Sequence, residues 1–107
     1  MSARFIYVTV ANQDEARKIA KAVVEERLAA CANIIPGVES VYWWQGEVRS
    51  DSESVVILKT DSARVEVLTA KINQLHSYDV PCVVALAIQG GNDDFLNWIS
   101  KETLPRP

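Results

Sequence analysis

The chain has 107 residues, 49% of them hydrophobic and 23% charged, and a net charge of −3. That length suits one domain, residues 1–107, with a modest core, and the slightly acidic balance leaves no electrostatic footprint for nucleic acid or an anionic membrane. No apolar run approaches the ~20 residues that insert across a bilayer, and MSARFIYVTV runs straight into a strand rather than a signal-peptide layout. Two cysteines are too few for a disulfide scaffold, so the cytoplasm is the expected compartment.

Phe5 to Ala11 (FIYVTVA) is a near-continuous β-type run that predicts a buried central strand. Asn12 then caps a helix, with Glu15 placed to reach back in a capping box. Ala16, Ile19, Ala20, Val23, Arg27 and Ala30 follow at helical spacing, with Lys18, Lys21, Glu25 and Glu26 on the wet side.

Two extended arms come next, from Ala29 to Thr60, meeting at Gln45-Gly46. Val, Ile, Tyr and Trp crowd the first arm and Val55-Val56-Ile57-Leu58 close the second. With Gln45 and Gly46 as the loop, Trp44 faces Glu47, Trp43 faces Val48 and Tyr42 faces Arg49. Both arms far exceed the about five or six residues of an ordinary strand. Pro36-Gly37 must therefore bend or bulge the first arm, so that Val38 to Ser54 projects beyond the core. Side chains alternate along a strand, so Trp43 and Trp44 point to opposite sides of the ribbon. An isolated hairpin cannot bury both, which implies a second copy of the chain.

Asp61 or Ser62 caps a second helix whose buried stripe is Val65, Leu68, Ile72 and Leu75. His76-Ser77-Tyr78-Asp79 ends it and Pro81 forbids continuation. Cys82 to Ile88 (CVVALAI) predicts another buried strand. Asn92 caps a short last helix with Phe95, Trp98 and Ile99 on one side, and Lys101 to Pro107 reads as a frayed tail. The order βαββαβ plus a C-terminal helix is an α+β, ferredoxin-like split βαβ arrangement: an antiparallel sheet with two helices on one face and a long β2–β3 hairpin. The uncovered sheet face and the excess hairpin both point to a homo-oligomer.

No nucleophile elbow, phosphate loop, dinucleotide fingerprint or zinc motif is present. His76 either caps the last carbonyls of its helix or joins Asp79 and Cys82 in a ligand or metal site. Cys31 reads as a packed thiol; Cys82, beside Pro81, is better placed for solvent and metal. Lys59 is either solvated or holds an anion at a pocket mouth. Tyr42, Trp43 and Trp44 read as hairpin and subunit anchors. Glu25-Glu26 and Asp93-Asp94 read as a solvated face and a helix start.

VVEERLAACANIIPGVESVYWWQGE (Val23 to Glu47), VILKT (Val56 to Thr60), HSYDVP (His76 to Pro81) and GNDDFLNWI (Gly91 to Ile99) together resemble CutA, the divalent-cation tolerance family, in fixed order from about Phe5 to Ile99. The resemblance implies a tight homotrimer, PII-like in shape, with clefts between subunits and a role in tolerance of divalent ions, copper among them. Where some members carry metal-binding residues this chain has Val8 and Cys82, and Ser77 stands where the family often has proline. His76 with Cys82 suits a soft ion such as Cu(I). The cleft residues that match are Trp44, Lys59, His76 and Tyr78, a set suited to a small anionic or metal-bound ligand. The leading expectation is a non-enzymatic cytoplasmic trimer that binds a metal ion or small ligand. The alternatives are a trimeric scaffold or PII-like signalling protein that binds a partner protein, and an enzyme using His76 with Tyr78 or Cys82 as acid and base.

Overall fold

The computed structural model describes residues 2–105; Arg106 and Pro107, the end of the expected frayed tail, lie outside them. Four strands, β1 (Ala3–Val10), β2 (Cys31–Trp44), β3 (Glu47–Asp61) and β4 (Val83–Ala87), form one antiparallel sheet in the order β2-β3-β1-β4. With helices α1 (Gln13–Glu25), α2 (Val65–Leu75) and α3 (Asp93–Glu102), this is the expected α+β, ferredoxin-like arrangement. Ile6, Val8 and Val10 of β1 and Val56 and Leu58 of β3 pack beneath Ala16, Ile19, Ala20 and Val23 of α1 and Leu68 and Ile72 of α2. The small alanines let α1 sit close on the sheet.

Helix α1 starts as its sequence dictates, with the Asn12 side chain accepting from the Glu15 N–H at 2.9 Å. It ends earlier than the apolar spacing predicts. Arg27 adopts a left-handed φ of 60°, and the Leu28 and Arg27 N–H groups return to the Val23 and Val24 carbonyls at 2.9 and 3.0 Å. This Schellman turn stops the helix before Arg27 and Ala30 can join it. At the other hairpin-flanking junction, Asp61 caps a 3-10 turn (Ser62–Arg64) through the Ala63 N–H, and that turn runs into α2.

The hairpin has the predicted register, with Trp44 opposite Glu47, Trp43 opposite Val48 and Tyr42 opposite Arg49. Gln45 and Gly46 both take positive φ, 51° and 79°, the signature of a type I′ turn whose twist matches that of the strands. Between Ile35 and Val38 the register shifts by one residue, and Gly37 at φ 73° absorbs the bulge at Pro36-Gly37. The projecting hairpin stretches the molecule to 43 × 29 × 22 Å. Its radius of gyration of 14.3 Å exceeds the about 13 Å of a compact chain this long.

Two strands expected to be buried are open, β1 on one side and β4 on both. The face of β1 that carries Phe5, Tyr7 and Thr9 is only partly covered, and β4 is a sheet edge with Val84 and Leu86 each 49% exposed. The register sets Phe5, Tyr7, Ile57, Val84 and Leu86 on this one face, opposite the helices. Their apolar runs reflect a second surface that one protomer does not cover. The last helix also differs from expectation: Ile99 is buried, whereas Phe95 and Trp98 stack on each other at 5.5 Å on the exposed side. The tail begins later than predicted, because Thr103 is buried and its hydroxyl donates to the Ile99 carbonyl at 2.8 Å.

Candidate functional site

The bulge at Pro36-Gly37 carries Tyr42 and Trp44 of the hairpin toward the segment that links α2 to β4. Between them lies a cavity of about 580 Å³, lined on the hairpin side by Tyr42, Trp44, Arg49 and Glu53 and on the linking segment by Tyr78, Asp79 and Cys82. That is within the ordinary size of a small-molecule site.

Two carboxylates from distant elements hold the linking segment in place. Glu15, from the first turn of α1, accepts from the Ser77 N–H at 3.1 Å and the Ser77 hydroxyl at 2.7 Å. It does not reach back to Asn12 as a capping box requires, because tertiary donors take its oxygens instead. Glu53, on β3, accepts from the Tyr78 hydroxyl at 2.7 Å. Burial first, and then this bond and the negative charge of Glu53, push the Tyr78 phenol well above its ordinary value, so it keeps its proton. At the tip, the Tyr42 hydroxyl donates to Asp51, a bond that likewise raises the phenol.

His76 lies behind this wall with its side chain fully buried, its ring 4.6 Å from that of Tyr78. Its Nε2 is 2.7 Å from the Thr9 carbonyl, which can only accept, so Nε2 carries the proton. The Nδ1 atom takes the Tyr78 N–H at 3.1 Å, and a Glu15 oxygen lies 3.3 Å away. The ring therefore fastens the end of α2 to β1 instead of capping its own helix carbonyls. Neither nitrogen keeps a lone pair for an ion in this arrangement.

Of the residues singled out in the sequence, Trp44, Tyr78, Asp79 and Cys82 come together in the cavity and His76 and Lys59 do not line it. Lys59 sits on the open sheet face opposite Cys31, and its ammonium donates to Asn33. Burial pushes the Cys31 thiol up, only partly opposed by Lys59, which agrees with a packed rather than reactive thiol. The donor set of one protomer does not by itself make a metal centre. His76 is engaged, and among the described residues no three His, Cys, Asp or Glu side chains converge. Glu15, Arg49 and Glu53 were missed by reading the chain; the one local signal was a carboxylate, Glu53, two residues from Val55 on the same face of its strand.

The profile of the CutA1 divalent ion tolerance protein family matches residues 4–102. The chloroplastic protein CutA of Arabidopsis thaliana is 51% identical over 98 residues, which are 92% of this chain and 54% of that protein. The chain thus spans about half the length of the plant relatives it matches. The divalent-cation tolerance protein CutA of Thermus thermophilus is 47% identical over 92% of this chain and 95% of its own. Among solved structures, CutA1 from Oryza sativa superposes with a TM-score of 0.94 at 43% identity, covering 97% of this chain and 95% of that one. CutA1 from Thermus thermophilus superposes with a TM-score of 0.92 at 46% identity, covering 94% and 98%. This chain belongs to the CutA1 divalent ion tolerance family.

Proposed function

We propose that this member of the CutA1 family acts as a homotrimer that binds a small ligand or a divalent or copper ion in clefts along its hairpins, and so serves divalent ion tolerance without catalysing a reaction. The observation that carries the reading is the cavity itself: Trp44, Tyr78, Asp79 and Cys82, drawn from the hairpin and the segment after α2, share one wall system. The trimer is supported by the apolar face of Phe5, Tyr7, Ile57, Val84 and Leu86, which needs a cover of the same extent. Cytoplasmic residence is part of the proposal; among the described residues no helix is long and apolar enough to cross a membrane.

Each site residue has a proposed part. Trp44 and Tyr78 flank the ligand, His76 holds Tyr78 in place, and Lys59 serves the neighbouring open face. For an ion, Cys82 and Asp79 are the proposed donors, and His76 joins them only by giving up its bond to Thr9 or to the Tyr78 N–H. A soft ion such as Cu(I) suits the thiol of Cys82. Burial and the Glu53 carboxylate hold the Tyr78 phenol protonated, so Tyr78 does not serve as a general base in this arrangement.

Native mass spectrometry before and after adding Cu(I) under reducing conditions tests this. The expected result is a trimer with one retained ion per protomer, lost in Cys82→Ser and kept in Cys31→Ser. A monomer, or scattered ions that neither substitution affects, overturns it. A second reading, a scaffold for a partner protein, rests on the exposed Phe95–Trp98 pair of α3, which neither the core nor the cavity uses.

A further inference from the structure

Three features of the hairpin coincide at one level. Strand β3 pairs with β1 only as far as Ser54, opposite Val10. From Glu53 outward the hairpin is therefore a two-stranded ribbon paired to nothing else among the described residues. The register slip between Ile35 and Val38 falls at the same level, and Gly37, with open space around it, takes the bend. A ribbon of two strands is marginal by itself, and a bulge is where it bends. The third feature is Glu53, the first ribbon residue of β3, which is only 8% exposed and accepts from the Tyr78 hydroxyl at 2.7 Å. Among the described residues this is the one hydrogen bond between the hairpin and the segment from His76 to Cys82. The other bonds of that segment run to Ile72, Thr9 and Glu15 or stay within it. The segment is thus the fixed wall of the cavity, and the ribbon carrying Tyr42, Trp44 and Arg49 is the wall held by a single tie.

We propose that the Tyr78–Glu53 bond is a latch on the cavity: it holds the two walls together, and when it breaks the ribbon swings outward about Pro36-Gly37 and admits or releases ligand. The proposal rests on the reading of the cavity as a ligand site and adds how access to it is controlled. A hydroxyl donating to a carboxylate makes a stronger bond than a neutral pair, so one such tie can decide the position of a marginal element. Burial and the charge of Glu53 keep the proton on the phenol, which is the form that donates. The tie sits at the base of the ribbon, where it has leverage. From Glu53 to Glu47 the strand runs roughly 20 Å at ~3.3 Å per residue, so a rotation of about 10° at the base moves Trp44, opposite Glu47, by about 3 Å. That is the width of a water molecule, enough to change what passes between the walls.

The test is fluorine NMR of the intact protein labelled with fluorotryptophan, whose three tryptophans include Trp44 on the ribbon and Trp98 on α3. Tyr78→Phe removes the latch hydroxyl and keeps a ring beside His76. It should raise the open population about tenfold, the lower range for a hydrogen bond to a charged group. The signs are a larger solvent isotope shift and a broader line for Trp44, with Trp98 unmoved. Glu53→Ala should do the same, and the double variant should go no further than either single one, because both remove one bond. Glu53→Gln keeps an acceptor for the Tyr78 hydroxyl and should stay close to wild type. A Trp44 line unchanged in Tyr78→Phe, or effects that add in the double variant, overturns the latch. A Trp98 line that moves as far as that of Trp44 overturns it too, since the whole fold has then loosened rather than the ribbon. No ligand enters the measurement, so a failed latch leaves the Cu(I) result for the cavity untouched, and the two failures are told apart.

Discussion

Replacing Glu15 by alanine should free the segment after α2 without unfolding the helix that carries it. The backbone N–H of Glu15 still bonds the Asn12 side chain, so the helix keeps its cap. What disappears is the carboxylate that takes the Ser77 N–H at 3.1 Å and the Ser77 hydroxyl at 2.7 Å, with His76 Nδ1 3.3 Å away. A hydrogen bond to a charged group contributes about 1.5–3 kcal/mol when buried. Ser77 is exposed, so water recovers much of that, and about 2 kcal/mol for the pair is a reasonable total. Local opening free energy is read directly by amide exchange, whatever the state of assembly. A loss of 2 kcal/mol should speed exchange of the Ser77 and Tyr78 amides roughly 30-fold. Amides in the middle of α1, such as that of Ile19, should not change. Glu15→Gln should fall between wild type and Glu15→Ala, because a carboxamide keeps one acceptor. Unchanged exchange at Ser77 in Glu15→Ala would refute the latch and leave the segment to Tyr78 and His76 alone.

Three other substitutions probe separate parts of the molecule. Arg27 occupies a left-handed conformation that costs a side-chain-bearing residue about 1–2 kcal/mol, and it also pairs with Glu102 at 3.0 Å. Arg27→Gly should therefore be more stable than Arg27→Ala by about 1 kcal/mol in urea unfolding, since both lose the ion pair and only glycine relieves the strain; equal stabilities would refute it. The Asp61 carboxyl is pushed up by burial, but hydrogen bonds from Ala63, Ser100 and Ser2 outweigh that and hold it below its ordinary value of 3.8. A lowered folded value means stability present above the unfolded value and lost as pH falls through the folded one. Asp61→Asn should flatten the stability profile below about pH 4, and an acid limb identical to wild type would exclude Asp61 as its source. Trp43, 74% exposed beside Val41 and Val48 on the outer hairpin face, should act as an assembly anchor. Trp43→Ala should weaken self-association by about 2 kcal/mol in sedimentation equilibrium while leaving the monomer folded, and an unchanged association constant would remove it from the interface.

Along the chain itself, local chemistry determined nearly all the elements. The Asn12 cap, the Ala-Ile-Ala-Val spacing of α1, the bulge at Pro36-Gly37 and the Gln45-Gly46 turn with its Trp-to-Glu and Trp-to-Val pairs depend on neighbours a few residues apart, so the sequence displays them. The split between Trp43 and Trp44 followed from strand alternation alone. Boundaries were less legible where a side chain had to accept an unusual backbone, as Arg27 does. Tertiary structure decided which partner each polar side chain takes. Glu15 turned from its own helix to Ser77, His76 committed its ring to Thr9 and Tyr78, and Lys59 stayed with Asn33 on the open face. Apart from the local His76–Tyr78 bond, those choices join residues 26 to 67 positions apart, and only the order β2-β3-β1-β4 brings them within reach. The charged lining of the cavity, Arg49, Glu53 and Asp79 in place of Lys59 and His76, is a consequence of that order, which no local pattern encodes.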